Sequence, residues 1–429
     1  MATFAEELAD ALATTPVYDP HAHVRPDRPA ADTIADIVLY HHVWIELVSS
    51  GMPATAVTKA GLPHELADPD MEPVERVRAA LPYLDNLRAT TSGWLLRTLL
   101  RDIYGVPDGR LTAANLEQVA AVVAQRVQER AWADRLLGEI CGVERVLTVD
   151  GSGVPYGARI GRGVESGAIS LVSGKLSPRQ ALAALCEHLD SEPTTGAALG
   201  AAIHEMGRKL ARSGSRFVGM WLYPFWRFGD PRESEVTQVL GRARAGRPLS
   251  HEQHSAYTSL AVRRLLEGLE EGGLCTIQLI AGAEVLPPHR SIPHHGSELV
   301  GSIGRLAGAF ERVHFNCSTA TDLGIHDLAI LAKHIPNVSV AGYWWHTLYP
   351  PLIRKSVELR LDAVPTNKVV GFFSDAYCAE WVYPKLKLVK RIVGEVLTER
   401  VVQGLLEAEV ALSVVRAWFS DNGRRIYEP

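Results

Sequence analysis

The run Asp19-Pro20-His21-Ala22-His23 places two imidazoles two residues apart in an extended, apolar setting. On a strand, residues i and i+2 point to the same side, so both rings can converge on one ion. Imidazole suits zinc, iron, manganese or nickel, and the spacing does not choose among them; zinc is placed first. A carboxylate able to complete the set ends the run Val369-Val370-Gly371-Phe372-Phe373-Ser374-Asp375. An aspartate at the carboxyl end of a buried parallel strand can ligate a metal and take a proton from water. Each motif also has a plain reading, as two loop histidines and as a cap for the next helix. Taken together they predict one divalent ion held by His21, His23 and Asp375, with Asp375 doubling as the catalytic base.

Such a set requires the first and last strands of a closed barrel to be neighbours. The chain supplies the alternation of short β-branched runs and longer helical patterns that parallel βα units need. Candidate strands are 17–23, 144–150, 216–223, 274–281, 312–316, 338–343 and 369–375, and an eighth comes from Ile160 or from the Ala168–Val172 run. Between the first two, residues 24–143 read as wholly helical. Over 112–132 the apolar residues Leu116, Val119, Ala120, Val123 and Val127 follow the helical period, with Thr112 as the N-cap. The Gly/Ser-rich stretch 151–174 reads as a loop that could cover an active site. The expected fold is therefore α/β, a (β/α)8 TIM-like barrel forming one domain over 1–429, with a helical insertion over 24–143.

Composition narrows the partners. With 44 Lys+Arg against 49 Asp+Glu, the net charge is −5 and no basic run occurs, which disfavours nucleic acid and anionic membrane. Five scattered cysteines without metal-finger spacing read as reduced intracellular thiols. The acidic start (Glu6, Glu7, Asp10) does not read as a signal peptide, and no run approaches the roughly 20 apolar residues of a membrane helix. A cytoplasmic protein with a small-molecule substrate is the expectation.

The paired histidines and the late aspartate resemble the amidohydrolase superfamily, and the wider pattern is similar to its uronate isomerase branch over most of the chain. Residues 19–27 (DPHAHVRPD) resemble the strand-one motif, and 35–53 the following His-Tyr-x-Trp helix. There His41 matches the histidine, His42 stands at the tyrosine and Trp44 matches the tryptophan. Residues 92–106 resemble an insertion helix, 338–349 a penultimate strand with paired aromatics Trp344 and Trp345, 372–392 the last strand and its helix, and 420–429 an Asn-containing tail. This resemblance implies a metal-dependent barrel enzyme and a homo-oligomer.

The departures fall on the substrate-reading positions. No Arg-Pro-Asp follows the third strand, and the fourth-strand Ser-Asp-His gives way to Gly219-Met220-Trp221-Leu222-Tyr223. Gln278-Leu279-Ile280 lacks the fifth-strand histidine, and Ser374-Asp375-Ala376-Tyr377 lacks an arginine. An isomerase of sugar acids needs a cation for the carboxylate and groups that shuttle protons. Metal-assisted hydrolysis of a small polar substrate is therefore placed first, ahead of hexuronate isomerisation and of metal-assisted decarboxylation or elimination.

The replacements are sought at strand ends. His314 shares a strand face with Asn316 and is a candidate catalytic acid if that face points inward. His289, Arg290, His294 and His295 fall in a Pro-rich loop after the fifth strand, and His346 follows the paired tryptophans. Arg25, Arg227 and Arg290 are candidates for gripping an anionic substrate; His294, Trp345 and Tyr377 are further substrate contacts. Adjacent helical residues diverge by about 100°, so at most one of His41 and His42 is expected to face the site. His42 is taken as catalytic and His41 as the substrate-binding alternative, with Trp44 in the core. Trp221, Tyr223, Phe225 and Trp226 suggest a more apolar pocket than a sugar acid would need.

Overall fold

The computed structural model describes residues 3–61, 63, 71–129, 131–149, 159–165, 177–286 and 290–428. The Ala168–Val172 alternative and His289 lie outside the described residues, as do the side chains of Arg290 and Trp345. The strands are β1 (Val17–Ala22), β2 (Val143–Thr148), β3 (Ile160–Arg162), β4 (Val164–Glu165), β5 (Val218–Trp221), β6 (Thr276–Ala281), β7 (Ala283–Leu286), β8 (Arg290–Pro293), β9 (His314–Thr319), β10 (Val338–Ala341) and β11 (Val369–Val370). They form a sheet of order β1-β2-β3, a second of order β11-β10-β9-β6-β5-β4, and the hairpin β7-β8. The pairings β1-β2, β4-β5, β5-β6, β6-β9, β9-β10 and β10-β11 are all parallel, so the architecture is α/β with parallel sheets. Among the described residues no helix is long and apolar enough to cross a membrane.

The chain divides into two compact units. The first comprises Met1–Ile160, Leu348–Arg354 and Phe372–Ser420. Every residue of β1 is buried, as continuous apolar strands of parallel sheets are. Between β1 and β2 the described elements are helical, among them Ile34–Val38, His41–Ser49, Pro73–Leu84, Thr91–Tyr104 and Leu116–Gln128. The last starts later than expected. Asn115, not Thr112, precedes it, and the Asn115 side-chain oxygen accepts from the Thr112 N–H at 2.7 Å. That bond holds the turn before the helix and stops Thr112 from capping it. Leu116, Val119 and Val123 are buried, as the helical period predicts.

A second anchor of this unit is the carboxyl of Glu380, in the helix Ala379–Val402. It accepts from the Ala31 N–H (2.9 Å), the Trp132 indole N–H (2.9 Å) and the Tyr104 hydroxyl (3.3 Å). One buried side chain thus ties three segments that are far apart in sequence.

The second unit comprises Gly161–Thr347, Lys355–Gly371 and Asp421–Pro429. Its helices Gly196–Ala211 and His251–Gly272 lie face to face, and Gly268 permits this: a methyl group there would run into the His204 carbonyl oxygen. The Pro-rich loop expected after β6 is instead the antiparallel hairpin β7-β8, with Ala283 opposite Pro293 and Val285 opposite Ser291. Proline is tolerated there because Pro293 closes a two-stranded ribbon, where no central ladder needs its N–H.

His314 and Asn316 do share a face, and a buried polar chain runs along it. Gln278 Nε2 donates to the Tyr427 hydroxyl (2.9 Å), which donates to Asn316 Oδ1 (2.7 Å). Asn316 Nδ2 donates to Ser339 Oγ (2.7 Å), leaving the serine proton for His314 Nε2 at 2.7 Å. His314 is thereby held neutral. Burial, with the Arg425 and Lys368 charges, pushes its pKa from 6.5 down to about 4. An unfolded histidine protonates at 6.5 whereas the folded one resists, so this contribution to stability is complete above pH 6.5. It is lost as pH falls from 6.5 towards 4, by on the order of 3 kcal/mol. We expect urea midpoints measured across that range to fall less steeply in His314→Gln than in the wild type; identical slopes would exclude this assignment.

Candidate metal centre

The site is built within the first unit, where the segment after Gly371 runs beside the end of β1. The His23 N–H donates to Ala376 O (2.8 Å) and the Asp375 N–H to His21 O (2.9 Å). Asp19, wholly buried, adds a side-chain tie: its Oδ1 accepts from the Ser374 N–H (2.9 Å) and more weakly from the His21 N–H (3.4 Å). Burial pushes the Asp19 carboxyl up to about 6, against the hydrogen bonds from Ser374 and His21. These ties fix the two segments that carry the three proposed ligands.

His21 lies in β1 and His23 just past its end, their rings edge to face with centroids 5.1 Å apart. Asp375 Oδ1 is 3.5 Å from His21 Nε2 and 3.2 Å from His23 Nε2. Charge-assisted N–H···O contacts are shorter, about 2.7–2.9 Å. Ligands about 2.0–2.1 Å from a tetrahedral zinc-sized ion lie about 3.3 Å from one another, which matches both separations. Two imidazole nitrogens and a carboxylate oxygen are also the donor types such an ion takes, so the residues present fit one divalent ion. Burial alone would raise the Asp375 pKa, but His21, His23 and the nearby Lys385 charge hold it well below the usual carboxylate range. Asp375 is therefore ionised, as a ligand and proton acceptor must be.

Asp375 has φ +50°, in the left-handed region, which for a residue other than glycine costs about 1–3 kcal/mol. Two side chains hold that turn. The Tyr40 hydroxyl donates to Asp375 O (2.8 Å), and the buried Lys385 ammonium donates to Ser374 O (2.8 Å), Asp375 O (3.2 Å) and Tyr40 Oη (2.9 Å). Tyr40 is stacked on Trp381, with centroids 4.2 Å apart and planes 18° apart. Burial pushes the Lys385 ammonium down to about 8, against the pull of Asp375 and Asp19. Sequence reasoning missed Tyr40, Trp381, Lys385 and Asp19. The one available signal was Trp381 and Lys385 at i and i+4, which share a helix face.

Both His41 and His42 reach the carboxylate, contrary to the expectation that only one would. A nitrogen of each and an Asp375 oxygen lie within 4.8 Å of one another, and the two rings are 4.1 Å apart. The 100° argument fails because His41 is the first residue of its helix, after Tyr40 with ψ 137°. At a helix end, side chains can project past the terminus as well as outward. Tyr377 is brought in too: its ring stacks on His23 (4.6 Å, 15°) and meets His41 edge on (5.0 Å). Trp44 is buried, as expected.

Arg25 is engaged by Asp32, which Arg28 also approaches at 3.2 Å. Arg227, exposed, belongs to the second unit, as does His294, whose Nδ1 is 3.2 Å from Glu284 Oε2 beside the Phe225 ring. His346 is 3.1 Å from Ser291 Oγ, and burial pushes it down to about 4. His314 opens β9 at its amino end, whereas parallel α/β enzymes bind ligands beyond the carboxyl ends. Its partners are structural, and the catalytic role expected of it is not carried forward. Trp226 is likewise a core residue with no solvent exposure, not part of a pocket wall.

No protein-family model matches this sequence, and no curated protein matches it significantly. Solved structures do match. The glucuronate isomerase of Caulobacter crescentus superposes with a TM-score of 0.82 at 16% identity, over 99% of this chain and 94% of its own. The uronate isomerase of Thermotoga maritima gives 0.80 at 14%, over 99% and 97%. A Lactobacillus casei protein described as a candidate metal-dependent hydrolase gives 0.62 at 12%, over 98% and 97%. At these identities the likeness is one of fold, and the fold of this chain is that of the uronate isomerases.

Proposed function

We propose that this protein is a metal-dependent enzyme of the amidohydrolase type, holding one divalent ion, zinc first, through His21, His23 and Asp375. The observation that carries the reading is the pair of 3.5 and 3.2 Å separations from both imidazoles to one carboxylate oxygen. A divalent ion there would supply Lewis-acid polarisation and a lowered water pKa. Asp375, ionised and buried, accepts a proton from the attacking water. His42 beside it returns a proton to the leaving group, while His41 and Tyr377 orient the substrate. The expected (β/α)8 barrel with its 24–143 insertion belongs to the same reading, supported by the likeness in fold. So do a cytoplasmic location, a small-molecule substrate and a homo-oligomer.

Hydrolysis of a small polar substrate stays first because Arg25, the candidate carboxylate clamp nearest the metal motif in sequence, is engaged by Asp32. Isomerisation of a hexuronate is the second reading, favoured by the matching isomerase structures. Zinc-loaded protein incubated with glucuronate and galacturonate separates the two. The hydrolase reading expects no ketose from either; a ketose product would replace it with isomerisation.

A further inference from the structure

We propose that Lys385 and Tyr40 are positioning residues for Asp375, holding its left-handed turn so that the carboxylate stays aimed at His21 and His23. The inference rests on the metal-centre reading above. The ammonium is fully buried, and its three hydrogens meet three acceptors: Ser374 O, Asp375 O and Tyr40 Oη. An ammonium has three donors, so this one is fully used. Two acceptors are the carbonyls that flank the turn, and the third is the hydroxyl that itself donates to Asp375 O. A lysine serving only the general core would have no reason to meet both carbonyls that flank the positive-φ Asp375.

The device is also braced from behind. Lys385 and Trp381 share one face of the helix Ala379–Val402, and Trp381 stacks on the Tyr40 ring. Tyr40 in turn precedes His41 and His42, so one helix face sets both Asp375 and the start of the histidine pair. With the Lys385 amine removed, Ser374 O would lose that donor and Asp375 O would keep the Tyr40 hydroxyl. The turn could then relax towards ordinary φ, and the carboxylate would swing away from the imidazoles.

Zinc affinity of the full chain, read by competition with a chromophoric chelator, tests this. Far-UV circular dichroism and urea midpoints are recorded in parallel. Lys385→Met should weaken zinc binding by at least about 10-fold, the scale at which outer partners of metal ligands act. Tyr40→Phe, which keeps the stack on Trp381, should weaken it by less. Adding Lys385→Met to Asp375→Ala should cost nothing further, because the carboxylate it positions is gone. Wild-type affinity in a folded Lys385→Met protein overturns the proposal. An equal loss in the Asp375→Ala background also overturns it, since the effect would then be general loosening. Should Lys385→Met fail to fold, Tyr40→Phe decides, and undiminished affinity there is the refuting result. Failure of the metal reading itself looks different: wild type would bind zinc no better than His21→Ala.

Discussion

We expect His23→Ala to fold but to retain at most a trace of metal after dialysis, with activity lower by more than about 100-fold, beyond the 10–100-fold that outer partners of metal ligands cost. The variant removes one of three donors and leaves the β1 backbone bonds to Ala376 and Asp375 in place. His23 is also the less buried imidazole, with 22% of its side chain exposed against 3% for His21, so its loss opens little cavity. His21→Ala should lose metal equally but also some stability, because it empties a packed position beside Phe373. Asp375→Asn keeps the volume and removes the charge, so it should lose metal with little change in fold. Metal content by mass spectrometry, read beside circular dichroism, checks all three. Full metal occupancy in His23→Ala would falsify the assignment of the site.

The largest loss of stability is expected at Glu380→Ala. The carboxylate satisfies a backbone N–H, an indole N–H and a phenol in a fully buried position. Removing it strands three donors, each at about 1–3 kcal/mol, and leaves a cavity as well. The stranded donors alone sum to about 3–9 kcal/mol and the cavity adds to that, enough to unfold a protein of ordinary stability at 37 °C. Glu380→Gln keeps one acceptor oxygen and should lose roughly half as much by the same reasoning. Urea or thermal unfolding decides; a Glu380→Ala midpoint near that of the wild type would mean the three donors find other acceptors.

How much of this was legible depends on whether the signal was local. The two-residue period of β1 and the apolar run before Asp375 are local patterns, and the imidazoles and the carboxylate do meet. The left-handed Asp375 was hidden, because its conformation comes from Lys385 and Tyr40 rather than from a glycine or turn motif. Lys385 was invisible for the same reason: lysine is read as surface unless a partner is known. β11 is shorter than its apolar run suggested, ending at Val370, since 371–375 leave the ladder to reach that turn. His314 misled in the opposite sense. Its alternation with Asn316 identified the shared face correctly, but face does not tell which end of a strand faces a ligand. The hairpin β7-β8 was missed because three prolines in the segment outweighed its β-branched alternation.

The bond between Ser374 and Asp19 spans 355 positions of sequence. That separation governs when the centre can exist during synthesis. A ribosome adding about 5–20 residues per second releases the β1 histidines long before Asp375 is made. Throughout that interval the nascent chain offers two histidines without their carboxylate, and contacts of such high order form slowly. With the proposed ligand set, metal loading would be a late event that waits for Asp375 to be made, and a ribosome-bound fragment ending before Phe372 should remain metal-free however far its helices have folded.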